Sequence, residues 1–442
     1  MSQSISQKFT PITLLKFAFP SMIMMIFMSC YTIVDGIFIS RYLGSNALSA
    51  ANIAYPPFNL LFAIGIMIAT GGSAIVSQKL GEEKKEEALR DFSFLTFFGL
   101  IASLLFLIVI AAFQNPLCHF LGASELIMED CKKYLLFLAY FAPASILQAI
   151  YQSFFVTAGK PRLGLALTVI AGLANAFFDY FFLAVVGTGI EGAAIATGIG
   201  QLIPAVIGTI YFLFFKGDLH FVSFRFYGKI LGQACFNGSS EMVSNLANAV
   251  ITYLFNIILM HIAGEDGIAA ITIILYAQFL FNSLYLGFSI GVAPVIGFQY
   301  GAKNTNELKK LYKICNCFVI FSSVMITLLS WMLSDGIALI FVSADSTTYT
   351  MASEGLGIFA LSFLFSGFNI FSSSLFTALS DGKTSAIISF GRTCVFIILS
   401  LMILPNLLDV TGVWLAIPVA EFLAVFVSAY YQWSKRKKYG YL

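Results

Sequence analysis

Apolar runs long enough to cross a bilayer recur along almost the whole chain, and they limit its folds more than any other feature. A helix rises about 1.5 Å per residue, so about 20 mostly apolar residues span the hydrocarbon core. Twelve such runs can be read between charged or Gly/Pro-rich breaks, at 14–40, 52–78, 92–113, 133–157, 163–186, 189–215, 238–262, 268–299, 314–342, 354–380, 385–405 and 411–433. They are too long and too evenly apolar for the alternating segments of about 10 residues that build a membrane barrel. Only 10% of the 442 residues are charged and 59% are hydrophobic, so water is not the main solvent of this chain. The expected class is an all-α polytopic membrane protein of twelve spans.

Lysine and arginine near span ends resist translocation. With the N-terminus inside, 21 of the 24 basic residues fall on one side, and only Arg41, Lys132 and Lys133 on the other. A missed helix would scramble that alternation, so the count and the orientation support each other: both termini are expected in the cytoplasm of a cell-membrane protein. The first run carries Asp35 and no small-residue cleavage site, so it reads as span 1 and not as a signal peptide. A net charge of +2 is too small to suggest a nucleic-acid partner. The basic stretch Lys435–Lys438 reads as a positive-inside tail at an anionic leaflet. Seven cysteines form no CxxC pair, although Cys118 and Cys131 flank one outer loop and could pair there.

Sliding the chain against itself by 220 residues aligns Gly44 and Ala50 with Gly264 and Ala270, Gly81 and Glu87 with Gly301 and Glu307, and Gly192 and Ala196 with Gly412 and Ala416. A shift of 223 aligns Gly159 and Lys160 with Gly382 and Lys383. Six spans per repeat is an even number, so the halves are parallel repeats with substrate expected between them. The expected division is an N-lobe at 1–215, a linker at 216–230, a C-lobe at 231–434 and a basic tail at 435–442.

An acid inside a span costs about 3 kcal/mol on insertion scales, which makes each one a functional candidate. Asp35 on span 1, Asp179 on span 5 and Thr197 on span 6 are expected at similar depth in the outer half, and Asn175 shares a helix face with Asp179 four residues on. Two carboxylates, an amide and a hydroxyl make a hard-oxygen set suited to a proton or Na+, because neighbouring acids in a low dielectric resist being ionised together. Pro20 removes a backbone hydrogen bond from span 1 and is the expected bending point. Glu241 at the inner end of span 7 and Glu421 in span 12 are additional candidates, Glu241 snorkelling towards the interface and Glu421 facing protein or cavity.

Two motifs point elsewhere. Gly287, Ser289 and Gly291 satisfy GxSxG but lie inside an apolar helix, with none of His119, His220 and His261 at that depth. Gly382, Lys383 and Thr384 resemble the end of a phosphate loop, but the earlier glycine position holds Thr377. An enzyme is therefore not expected, nor is ATP, a resident metal or any cofactor beyond the coupling ion.

DGIFISRYLGSNALSA from Asp35, GGSAIVSQKLG from Gly71, NAFFDYFFL from Asn175 and GIEGAAIATGIGQ from Gly189 together resemble the multidrug and toxic compound extrusion (MATE) family over essentially the whole chain. The resemblance implies two lobes forming a V and alternating access that exports organic, cationic and amphipathic drugs against inward H+ or Na+. It implies that Asp35, Asn175, Asp179 and Thr197 form the first-lobe cation site, that Pro20 is the bending point of helix 1, and that Tyr134 matches a tyrosine near the site. The apolar core of span 10 carries no carboxylate. That departs from the acid pair in the second lobe of one branch of the family and favours coupling through the first lobe; the resemblance is to the DinF/MepA-like branch. The expected partners are small drug-like molecules and the lipid bilayer, with the chain acting as a monomer. A lipid-linked oligosaccharide flippase is the alternative; it would need a basic cavity, for which Arg392 is the one basic residue placed to enter a span.

Overall fold

A computed structural model describes residues 5–215, 217–226 and 228–442, so Lys216 of the expected linker lies outside the described residues. Every regular element among them is helical. Among the described residues nine helices are long and apolar enough to cross a membrane, and Met128–Tyr140 with Ala142–Thr157 make one more span bent by 53°. Ser239–Gly301 and Gly382–Tyr439 each hold two spans, because the backbone leaves helical geometry at Gly264 (φ 65°) and at Asp409 (φ 48°). That accounting gives the twelve spans read from hydropathy.

The internal repeat is visible in the turns. Pro11–Gly81 breaks between spans 1 and 2 at Gly44 (φ 84°), 220 residues before Gly264. Both positions need the left-handed backbone that glycine adopts without a β-carbon clash. The turn after span 2 closes with Glu83 N–H on Leu80 O and Lys84 N–H on Lys79 O. The same two bonds recur after span 8, from Lys303 to Tyr300 and from Asn304 to Gln299. The turn after span 4 departs from the expected alignment. Gly159 N–H bonds Val156 O, and its structural counterpart is Ser380 N–H on Thr377 O, not Gly382. The left-handed backbone that glycine supplies at 159 (φ 69°) is carried by a serine at 380 (φ 57°), so glycine identity misplaced the register by two residues. Gly382 serves packing instead: a β-carbon there would lie 2.6 Å from Asn237 Cα.

One apolar core fills each half, from Ile39 to Ala234 and from Ala247 to Ala420. A third core joins the halves through Phe9, Phe17, Phe288, Val292, Phe371 and Leu375. Spans 2 and 8 make the inter-half contact with their backbones touching. A β-carbon on Gly81 would sit 2.0 Å from Phe298 O, and one on Gly301 would sit 2.0 Å from Gln78 O. The pair is reciprocal under the 220-residue shift, as a twofold axis along the bundle requires. A second crossing is as close, with Gly71 on Ala234 O and Gly238 on Met67 O, each at 2.0 Å from a built β-carbon. The GxSxG glycines belong to the same interface: Gly287 packs on Met22 and Gly291 on Ala18 of span 1. Small residues four apart let helices approach this closely in lipid. The lobes are thus sealed at the end that carries the basic loops.

The last span runs on as helix to Tyr439, past the expected end at 433. Lys435 Nζ lies 2.6 Å from Asp381 Oδ2, and Tyr441 is fully buried with its hydroxyl donating to Gln432 O at 2.8 Å. The basic tail is docked on the protein through these contacts. Cys118 and Cys131 are free thiols, and Cys131 donates to Ala50 O at 3.5 Å.

Candidate functional site

The first-lobe residues converge from three spans. The Asp35 carboxyl lies beside the side chains of Asp179, Asn175 and Thr197. Asp179 is fully buried and Asn175 nearly so, while Asp35 keeps some accessible surface. Span 5 delivers its pair through a change of helix type: α-helix ends at Asp179 and a π-helical stretch follows over Tyr180–Val186. Such widened turns are uncommon and concentrate at functional sites. Gly200 of span 6 packs against Asn175, where a β-carbon would come within 3.1 Å of Asn175 Cβ.

The polar groups of this cluster do not satisfy one another. Both oxygens of Asp179, Oδ1 of Asp35 and Nδ2 of Asn175 are buried without a hydrogen-bond partner. Thr197 spends its hydroxyl on Ala193 O at 3.1 Å. Two carboxylates face each other as acceptors, and the groups acting on them include no lysine or arginine. Buried polar atoms are almost always paired, so four orphans in one place need a reason. Tyr134 is buried beside both acids. Tyr31 and Tyr55 stand beside Asp35, and Tyr31 also lies next to Gln148. Tyr55 is nonetheless 44% exposed, as a side chain lining an open cleft would be. Reading the sequence missed Tyr31, Tyr55 and Gln148, because tyrosine and glutamine in an apolar run carry no cost large enough to flag them.

The other candidates lie elsewhere. Pro20 is buried, and the backbone stays helical through it. Glu421 is buried in the second half, with Oε1 2.7 Å from Arg392 Nε and Oε2 2.8 Å from Asn369 Nδ2. Arg392, counted above among the cytoplasmic cations, therefore sits inside its span, within a second π-helical stretch at Gly391–Phe396. An ion pair hides two membrane charges at once, and hydropathy scored one residue at a time cannot see it. Glu241 does not snorkel to the interface. Its carboxylate turns inward and accepts from Ser240 Oγ at 2.5 Å and Thr377 Oγ1 at 3.4 Å.

The MatE family model matches residues 20–181 and 242–402, one stretch in each half. A multidrug export protein MepA from Staphylococcus haemolyticus is 24% identical over 428 residues, covering 96% of this chain and 94% of that protein. A crystal structure titled as MATE in the straight conformation superposes with a TM-score of 0.91 at 20% identity, covering 98% of this chain and 97% of that one. A structure described as the outward-facing conformation of a multidrug resistance MATE family transporter gives 0.89 at 20% identity, covering 98% and 97%.

Proposed function

The chain belongs to the MatE family, and from that premise we propose that it is a cation-coupled antiporter exporting organic, cationic and amphipathic drugs by alternating access. Asp35, Asn175, Asp179 and Thr197 bind the coupling ion, H+ or Na+, as a transported substrate. The observation that carries this reading is the convergence of two acids with orphaned oxygens and no basic partner. A buried carboxylate without a counter-charge is costly, and a proton or small cation removes the cost. Hard oxygen donors suit Na+, and adjacent carboxyls can share one proton, so the donor set fits either ion. Occupancy then sets the charge of the cavity: an empty acid pair attracts an organic cation, and a loaded one releases it.

Alternation follows from the seam. With both termini in the cytoplasm, the glycine crossings close the cytoplasmic end, and the first-lobe site is reached from outside through the cleft beside Tyr55. Pro20 lacks the N–H of a regular helix and gives span 1 a place to bend as the charge beside Asp35 changes. Tyr134 packs over the acids and limits the water that reaches them. The lobe limits proposed remain 1–215 and 231–434 about a linker at 216–230. The flippase alternative asks for a basic cavity, and Arg392, its one candidate, is already neutralised by Glu421.

The test is ethidium export from reconstituted vesicles under separately imposed proton and sodium gradients. One gradient should drive export in the wild type, and Asp35→Asn or Asp179→Asn should reduce it to background. Full coupled export by both variants would sink the assignment.

A further inference from the structure

Repeats in a sequence need not be the bodies that move. A segment buried in a close-packed core moves with that core, whichever repeat encodes it. Two segments of this protein are buried against the opposite half.

The first is the start of the chain. Ile5, Phe9, Leu14 and Phe17 are buried in the core that holds Val292 of span 8, Leu311 of span 9, Phe376 of span 10 and Tyr441 of the tail. Among the described residues, spans 2–6 contribute one buried member to that core, Val156. Ala18 and Met22 continue the attachment, with the backbones of Gly291 and Gly287 of span 8 against them. Span 1 meets the first half higher up. A β-carbon on Gly164 of span 5 would lie 3.9 Å from Met24 Sδ, and one on Gly172 would lie 2.5 Å from the Phe27 ring.

The second surrounds the linker. Leu219 and Ala234 are buried in the first-half core, and Ile230, Leu231 and Cys235 pack against it. Phe221 N–H donates to Phe212 O at 2.9 Å, and Val222 N–H to Ser93 Oγ at 3.0 Å. The Phe221 ring stacks on Phe92 with centroids 5.0 Å apart, and Phe226 meets Phe94 edge-on at 5.5 Å. The linker is thus a strap fastened to span 3. Helix Gly228–Asn237 extends the attachment, with Ala234 O against Gly71 of span 2. It meets the second half in its last turn, where Asn237 Nδ2 donates to Thr377 O at 2.8 Å. The backbone then breaks at Gly238 (φ −91°, ψ 2°), and helix resumes at Ser239.

The exchange is reciprocal. Adding 220 carries residues 5–22 onto 225–242 and Ala18 onto Gly238. Spans 1 and 7 therefore pass from one half to the other at equivalent depth, beside Pro20 in span 1 and at Gly238 in span 7. Proline and local breaks are where helices bend, and hinges are a few residues that absorb the backbone change.

We infer that the moving bodies are exchanged at their inner ends: residues 5–22 travel with the second half, the strap and helix Gly228–Asn237 travel with the first, and the chain bends beside Pro20 and at Gly238. The inference rests on the alternation proposed above and changes what that alternation opens. Gly71 with Ala234 and Gly291 with Ala18 each fall inside one body and stay closed. The reciprocal contact of Gly81 and Gly301 is the seam that parts, together with the bond from Ser380 Oγ to Gln78 Oε1 at 2.8 Å. Because each body holds a segment of the other, the two remain joined when that seam is open.

The experiment is double electron–electron resonance on the full-length protein in lipid nanodiscs. Spin labels are attached through an azido amino acid, which leaves the seven cysteines in place. Four exposed positions are paired: Lys8 for the start of the chain, Lys229 for helix Gly228–Asn237, Arg90 for the first half and Lys313 for the second. Distances are read at acid and alkaline pH, with and without sodium and ethidium, and in Gly81→Leu, whose added side chain holds the seam apart. The Arg90 to Lys313 distance should shift, and so should Lys8 to Arg90 and Lys229 to Lys313. Lys8 to Lys313 and Lys229 to Arg90 should stay within the width of their distributions. Bodies that followed the sequence repeats would give the opposite pattern, with Lys8 keeping its distance to Arg90 and Lys229 to Lys313. That result would overturn the exchange and leave alternation standing. One segment following the opposite half without the other would overturn the reciprocity. An Arg90 to Lys313 distance constant under every condition would remove alternation itself, and the exchange with it.

Discussion

Buried acids occur in both halves of the molecule, but with opposite partners. In the first half, Asp35 and Asp179 face each other, and their neighbours are an amide, a hydroxyl and tyrosines. In the second half, Glu421 holds Arg392 on one oxygen and Asn369 on the other. Under the 220-residue shift, Gln201 is the first-half counterpart of Glu421, and it is a neutral side chain taking a hydroxyl hydrogen from Ser145. The two lobes thus share backbone turns and glycine seams while exchanging the place of charge. Where the acid has a permanent partner, a proton adds nothing; where it has none, a proton or cation is what completes the hydrogen bonding. The difference teaches that a repeat can conserve architecture while leaving acids unpaired in one copy and locking an acid in an ion pair in the other.

The largest effect should come from cancelling the first-lobe charges. Asp179→Asn leaves the shape nearly unchanged and takes away the ionisable group, so gradient-driven ethidium export should fall to the level of empty vesicles. Glu421→Gln measured in the same vesicles should retain export per folded molecule. Equal losses from the two would erase the distinction between the lobes.

The next effect belongs to the seam that both lobes share. Gly81→Leu and Gly301→Leu each insert a side chain where a built β-carbon already lies 2.0 Å from a carbonyl oxygen of the other lobe. Backbone cannot yield there as a flexible side chain could, so the end that carries the basic loops should fail to close. Export should drop at least tenfold, with the two variants alike because the contact is reciprocal. Accessibility of a cysteine placed at Ala302 to a membrane-impermeant thiol reagent, added from the side of the basic loops, should rise in both. A large defect in only one would show that the twofold relation does not extend to the gate.

Most of this architecture was legible in the sequence, because bilayer thickness sets span length and hydropathy reports it directly. Gly44 and Gly264 were legible as a repeat because both must adopt positive φ. The counterpart of Gly159 was not, since Ser380 takes the same conformation under tertiary constraint and no glycine marks it. Asp35, Asn175, Asp179 and Thr197 could be grouped by depth and helix face, and the structure brings them together. The contact of the Ser240 and Thr377 hydroxyls with Glu241 could not, because serines and threonines in helices ordinarily bond their own i−4 carbonyls and look inert one span at a time. Arg392 and Glu421 were each noticed, yet pairing needs the crossing of spans 11 and 12, which periodicity does not supply.

That pair offers a middle-sized effect that sharpens the comparison. Removing one member strands the other charge, so Arg392→Met or Glu421→Leu alone should cost about 3–5 kcal/mol of stability. Replacing both with apolar residues of similar volume should recover most of it, since the desolvation penalty disappears along with the attraction. Thermal unfolding of the purified protein followed by tryptophan fluorescence would read the cycle. Recovery in the double variant, with export intact, makes the pair structural. A stable double variant without export would instead give the second lobe a charge-dependent role.

The smallest effect lies at the docked tail, outside the bilayer. Burial pushes the Asp381 carboxyl up, but hydrogen bonds from Lys435, Tyr439 and Thr384 outweigh it and hold the group below its ordinary range. A depressed carboxyl adds stability that is present above its unfolded value and lost as pH falls through the folded one. Tail docking should therefore be insensitive to pH near neutrality and weaken only in acid, below the usual carboxylate range. Asp381→Asn removes the ionic part at every pH, at about 1 kcal/mol or less for a pair near the surface. Limited proteolysis after Lys435–Lys438 should then proceed faster at neutral pH, with coupled export unchanged because no first-lobe acid is touched. If acid releases the tail of the wild type and of Asp381→Asn at the same pH, a group other than Asp381 governs the docking.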